Sequence, residues 1–295
     1  MATSDPLYAY QPSLVGAGIF CSIFCISTAF HGWQLARNKA WHMVGFFIGG
    51  LLELISYAAR AASATQKKDQ WSMSPYLIQS TFLLAAPSFF AASIYSTLGR
   101  IIAVTDGDAY ALIKKRWVTI FFVLADVFAL LMQAAGGGLM AMGSDDPTRL
   151  KLGRHTIVGG LIVQLVVYCL FFLSAATFHQ RMAALPSAKK QKHARIDWRQ
   201  HLATLFVVSA SFMVRSLFRI IEYAQGHEGC LYRYEAFAYV MDALPMALIM
   251  VFTLWRYPVF QAEEERGRNR GFRLARVEPR ARSPREDDSL ASEVA

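Results

Sequence analysis

Apolar residues gather into seven runs, at about 13–33, 41–62, 77–103, 117–141, 155–178, 202–224 and 235–256, with short polar stretches between them. A helix that crosses a bilayer needs roughly 20 predominantly apolar residues, and every run meets that length. Only helices or closed barrels satisfy their backbone in lipid, and these runs are too long and continuous for barrel strands. The pattern predicts an all-α, polytopic membrane protein with seven transmembrane helices. Residues 1–12 then form a short outer arm, 13–257 the membrane domain and 258–295 a tail. The tail is rich in Arg, Glu, Ser and Pro and poor in apolar residues, which predicts disorder. No Lys or Arg precedes the first run, so it does not read as a cleaved signal peptide.

Loop charge orients the bundle. The N-terminus and the second, fourth and sixth loops hold six Lys and Arg in all. The other three loops and the tail hold nineteen, with Lys189, Lys190, Lys192 and Arg195 grouped in one loop. Basic loops stay on the cytoplasmic side, which predicts the N-terminus outside and the C-terminus in the cytoplasm. The chain is 55% hydrophobic and 17% charged, with a net charge of +9. On this layout the positive charge meets anionic inner-leaflet lipid, and no nucleic-acid partner is implied. Of the four cysteines, Cys21, Cys25 and Cys169 fall within spans and Cys230 lies outside, so an intramolecular extracellular disulfide is not available.

Nine charged residues break the apolar pattern: Glu53, Arg60, Arg100, Asp126, Arg215, Arg219, Glu222 and Asp242 within spans, and Glu235 at a helix mouth. A charge at membrane depth is costly unless it is paired or faces water, so each is a functional candidate. Glu53, Tyr57 and Arg60 are spaced i, i+4, i+7, as are Arg215, Arg219 and Glu222, and again Glu235, Tyr239 and Asp242. Asp126 and Gln133 are seven apart. Each set lies along one helix face. Four arginines stand against five acids, which points to a paired interior network. Matching depth by helix rise predicts Arg219 beside Glu235 and Arg215 beside Asp242, with Arg100 on the inner side, where it could snorkel. Such a network can merely fix helix register. It can also line a polar cavity, with arginines for an anionic headgroup and acids for an amine or a proton.

Gly45 and Gly49, the run Gly136 to Gly138, and Gly159 with Gly160 predict close helix packing. Pro87 and Pro245 predict kinks in the third and seventh spans.

Taken in order, several segments resemble the fungal RTA1-like family, the lipid-translocating exporters. They are Glu53-Leu-Ile-Ser-Tyr57-Ala-Ala-Arg60, Gln79 onward through AAPSFFAASIYSTLGRII with Tyr95 and Arg100, and Asp126 with QAAGGGL from Gln133. Further on come Gly160-Leu-Ile-Val-Gln164, RSLFRIIEYAQGHEG from Arg215, and Glu235 through Tyr239 to Asp242. The resemblance covers about residues 10–257. Ser56 departs from it, at a position where Gly is more usual. It implies a seven-span fungal protein concerned with movement or tolerance of amphipathic lipids, in the plasma membrane or else the vacuole or endoplasmic reticulum. Sphingoid long-chain bases, sterol-like compounds and porphyrins are the implied substrate classes. The implied substrate-binding or proton-coupling residues are Glu53, Tyr57, Arg60, Gln79, Tyr95, Asp126, Gln133, Gln164, Arg215, Arg219, Glu222, Glu235, Tyr239 and Asp242.

The expectation is therefore a lipid translocator without catalytic residues, cofactor or metal. It would work on membrane lipids or an amphipathic small molecule. No P-loop sequence is present, so it would not hydrolyse ATP by that motif. Two other classes stay open. A seven-helix lipid sensor fits the layout, although Arg100 follows Gly99 rather than an acid. A zinc-dependent membrane hydrolase would draw on His31, His42, His179 and His201, but no H-x-x-x-H pair is present. A retinal pump is excluded, because no Lys follows Lys192.

Overall fold

A computed structural model describes residues 11–39, 41–66, 72–105, 107–113, 115–142, 146–184, 198–225 and 235–256. The outer arm up to residue 10, the basic loop around Lys189, Cys230 and the tail lie outside the described residues. Seven helices are long and apolar enough to cross a membrane. They are α1 (Leu14–Asn38), α2 (Val44–Ala64), α3 (Met73–Val104), α4 (Lys115–Met142), α5 (Pro147–Ala183), α6 (Trp198–Gln225) and α7 (Glu235–Arg256). A single 3-10 turn, Trp41–Met43, leads into α2. The protein is an integral membrane protein.

Most helices outrun the apolar stretches that predict them. α5 is the clearest case. It begins at Pro147, where the Asp146 side chain accepts from the Thr148 amide. Proline fits the first helical turn and aspartate satisfies an otherwise orphaned donor, so the helix starts in polar sequence before the span. Ser13 caps α1 in the same way through the Gly16 amide.

Helices that follow one another in sequence pack side by side from α1 through α5, and α5 packs on α6. α3 is enclosed most, touching α2, α4 and α6. α7 closes the bundle: the Met250 carbonyl lies 3.2 Å from Nε2 of His31, and Gln34 reaches the Leu254 carbonyl. The start of α1, the end of α2 and the start of α7 share one end, here the N-terminal face. His31, His42 and Arg256 belong to the opposite, C-terminal half.

Buried aromatic residues form the core, among them Phe24, Phe46, Phe90, Phe122, Phe171 and Phe178. Glycine sets the closest approaches. A Cβ on Gly45 would sit 2.2 Å from the Phe89 carbonyl oxygen, and one on Gly49 would meet the Phe90 ring. A Cβ on Gly136 would sit 2.6 Å from the Gly153 carbonyl, and one on Gly160 2.8 Å from that of Ala129. Small residues thus let α2 meet α3 and α4 meet α5. Gly137 and Gly138 are different: each faces open space, so the expectation of packing fails at those two positions.

Candidate functional site

The polar stripes converge into two clusters. The first lies toward the N-terminal face, between α1, α2, α6 and α7. Asp242 is its centre and is 1% exposed. Arg215 Nε lies 2.5 Å from Asp242 Oδ1, and Arg219 Nη2 is hydrogen-bonded to Oδ2. The contact to Arg215 is one of charge rather than an aligned hydrogen bond, since neither Nε nor Oδ1 makes one. Arg219 also donates to Glu222 at 2.9 Å, one turn along α6.

Arg215 has a second task. Proline has no amide hydrogen, and its ring pushes away the carbonyl four residues earlier. For Pro87 that carbonyl is Leu83, and Arg215 Nη2 donates to it at 2.5 Å. Pro245 has a parallel effect on α7. Immediately before it, Tyr239–Ala243 form a π-helical turn in which the Leu244 amide reaches back to the Tyr239 carbonyl. Asp242 is carried on that turn.

Glu235 ties the N-terminal face together. Arg60 Nη2 binds its Oε1 at 2.9 Å. The Ser13 amide donates to both carboxylate oxygens, at 2.9 and 3.0 Å. Tyr239 donates to Oε1 at 3.0 Å and accepts from Arg60 Nε. Phe20 and Tyr57 pack against Tyr239, with ring centroids 5.3 and 6.4 Å away.

This arrangement corrects one sequence expectation. Arg215 does meet Asp242, but Arg219 does not pair with Glu235: it goes to Asp242 and Glu222, while Arg60 takes Glu235. Matching by depth fixes a level along the bundle axis and says nothing of which helix faces which.

Glu53 departs from the expectation of a fully paired network. It is 1% exposed and lies within electrostatic range of Arg215, Arg219 and Asp242. Among the described residues it has no ion-pair or hydrogen-bond partner, and its Oε1 is buried without one. Three arginines (60, 215, 219) thus face four acids (53, 222, 235, 242), an excess of one formal negative charge.

The second cluster joins α3, α4 and α5. Gln133 Nε2 donates to Gln164 Oε1 at 3.0 Å. Gln164 in turn donates to Ser88 at 2.9 Å and to the Tyr168 hydroxyl at 2.8 Å. Nearby, the Tyr95 hydroxyl donates to Asp126 Oδ2 at 2.9 Å, and Oδ1 is buried without a partner. Among the described residues Asp126, like Glu53, has no arginine partner. The Phe122 and Phe171 rings pack at a tilt against Tyr95. Tyr168 lies within electrostatic range of both Asp126 and Arg215 and so stands between the clusters.

Gln79 is buried on α3. Arg100 joins neither cluster, with Nη1 2.6 Å from His42 Nδ1 in the C-terminal half. Ser88, Tyr168 and the Leu83 carbonyl were not singled out from sequence. Tyr168 carried a usable signal, standing i+4 from Gln164 as Tyr57 does from Glu53. Among the described residues no group of three or more His, Cys, Asp or Glu is placed to hold a metal ion.

The RTA1 like protein family matches residues 46–265, three quarters of the chain and all the charged positions above. The chain belongs to the RTA1-like family. Its relatives include three proteins from Saccharomyces cerevisiae. Protoporphyrin uptake protein 1 is 36% identical over 292 residues, covering 85% of this chain and 92% of that protein. Protein RTM1 is 35% identical over 215 residues, 73% of this chain and 67% of that protein. Sphingoid long-chain base transporter RSB1 is 26% identical over 291 residues, 88% of this chain and 75% of that protein. No solved structure matches the chain.

Proposed function

We propose that this RTA1-like protein is a translocator of cationic amphipathic lipids, of which sphingoid long-chain bases are the type. The observation that carries the reading is Glu53: a buried carboxylate without a hydrogen-bond partner, in a cluster with one acid too many. A buried charge left uncompensated is costly, so such a site favours an ammonium headgroup. An ammonium offers donors and no acceptor, which suits the bare oxygens of Glu53 and Asp126. A relative named for sphingoid long-chain base transport supports the class. On this reading the N-terminal face is external, the tail is cytoplasmic, the membrane is the plasma membrane and no bond in the lipid is made or broken. Energy comes from the lipid gradient, a proton gradient or a partner.

The test uses purified protein in liposomes and a fluorescent long-chain base, with its N-acetylated form as the uncharged comparison. Protein-dependent flip of the amine, and little of the acetylated form, is the expected result. Equal flip of both overturns the ammonium assignment. Saturable binding without flip turns the reading to a lipid sensor.

A further inference from the structure

Away from the charged cluster, a lateral cleft opens between α3 and α4 and reaches α5 and α6, with about 520 Å³ of empty space including its open mouth. Thr81 and Ala134 are exposed at that mouth. Gly137 lines the cleft, and its missing side chain helps to keep it open, because nothing stands within 4 Å of where a Cβ would be. Among the described residues none that lines it is charged: the polar ones are Tyr76, Ser80, Thr81, Gln133 and Tyr223, and the rest are apolar.

Gln133 is the group that remains incomplete. It is 2% exposed, its amide nitrogen donates to Gln164, and Oε1 is buried without a partner. A buried polar atom without a partner costs about 1–3 kcal/mol, so a ligand that supplies one gains affinity. A hydroxyl both donates and accepts, and so fits the amide in either orientation. An ammonium does not fit as well, since none of the described residues lining the cleft is a carboxylate that would balance its charge.

We infer that the cleft is a second lipid site, selective for an uncharged lipid whose head is a hydroxyl, with the hydroxyl at Gln133 and the hydrocarbon along the apolar wall. It is distinct from the ammonium site at Glu53, and it stands whether or not the protein moves a long-chain base.

Three photoreactive diazirine probes with one common chain test it, bearing a hydroxyl, an amine or no head group, on the full-length protein in nanodiscs. The alcohol should label the α3 and α4 segments that line the cleft at least tenfold more than the headless chain or the amine does. Gly137→Leu should lower that labelling at least tenfold. Gly138→Leu, whose side chain also enters open space but does not line the cleft, should leave it unchanged. Gln133→Leu should bring the alcohol down to the level of the headless chain. Equal labelling by alcohol and headless chain overturns hydroxyl recognition. Labelling by the amine at the level of the alcohol overturns the distinction from the Glu53 site. Unchanged labelling in Gly137→Leu overturns the placement in the cleft. Loss of amine flip in liposomes with alcohol labelling intact would count against the translocation reading alone.

Discussion

Arg215 holds two unlike groups at once, the Asp242 carboxylate and the carbonyl that Pro87 strips of its helical donor. Breaking a buried ion pair from one side costs about 3–5 kcal/mol, and an unsatisfied buried carbonyl adds to it. Arg215→Met should therefore lower the melting temperature in detergent markedly, and Arg215→Lys by less. Exchanging the charges, with Arg215→Asp and Asp242→Arg together, should recover only part of the loss. Aspartate at 215 cannot donate to Leu83, and Arg219 would then face an arginine. Full recovery would show that the Leu83 contact is idle. The pairing of Arg215 with Asp242 was legible in the sequence, because the two stripes run at matched levels. The pairing of Glu235 was not, since its partners include the Ser13 backbone amide, which every residue but proline carries.

At the scale of elements, the helices were legible because a span must be apolar throughout, a demand that writes itself into composition. Their ends were less so, because the capping turns lie in polar sequence beyond the lipid. The prolines were legible as breaks in the helical bonding, but not what answers them: an arginine from α6 for Pro87 and a π-helical turn in α7 before Pro245. If Arg215 answers Pro87, then Pro87→Ala should soften the effect of Arg215→Met, because α3 can again bond its own Leu83 carbonyl. A double-mutant cycle on melting should show coupling of about 0.5–3 kcal/mol, the range for groups in one network. Additive losses would separate the two residues. Glycine roles divide just as sharply. Gly45→Ala drives a Cβ into the Phe89 backbone and should reduce folded yield, whereas Gly138→Ala enters open space and should match the wild type in size-exclusion profile.

Across the whole molecule, family, architecture and the inward turn of the polar residues could all be read from the chain. What could not be read was the division into two clusters, because spacing places residues on a helix face without saying which neighbour that face meets. Orientation belongs to this scale as well. With nineteen basic residues on one side against six on the other, a tag on the C-terminus should be reached by antibody only after cells are permeabilised. Staining of intact cells would invert the bundle and exchange the two faces. The excess acid at the heart of the first cluster is the centre of the functional account. Flip of the fluorescent long-chain base in liposomes, compared between wild type and Glu53→Gln, tests it most directly. The account predicts that the flip rate falls at least tenfold while the melting temperature holds, since the amide replaces a buried carboxyl group that has no hydrogen-bond partner to lose. An unchanged flip rate in well-folded Glu53→Gln would contradict it.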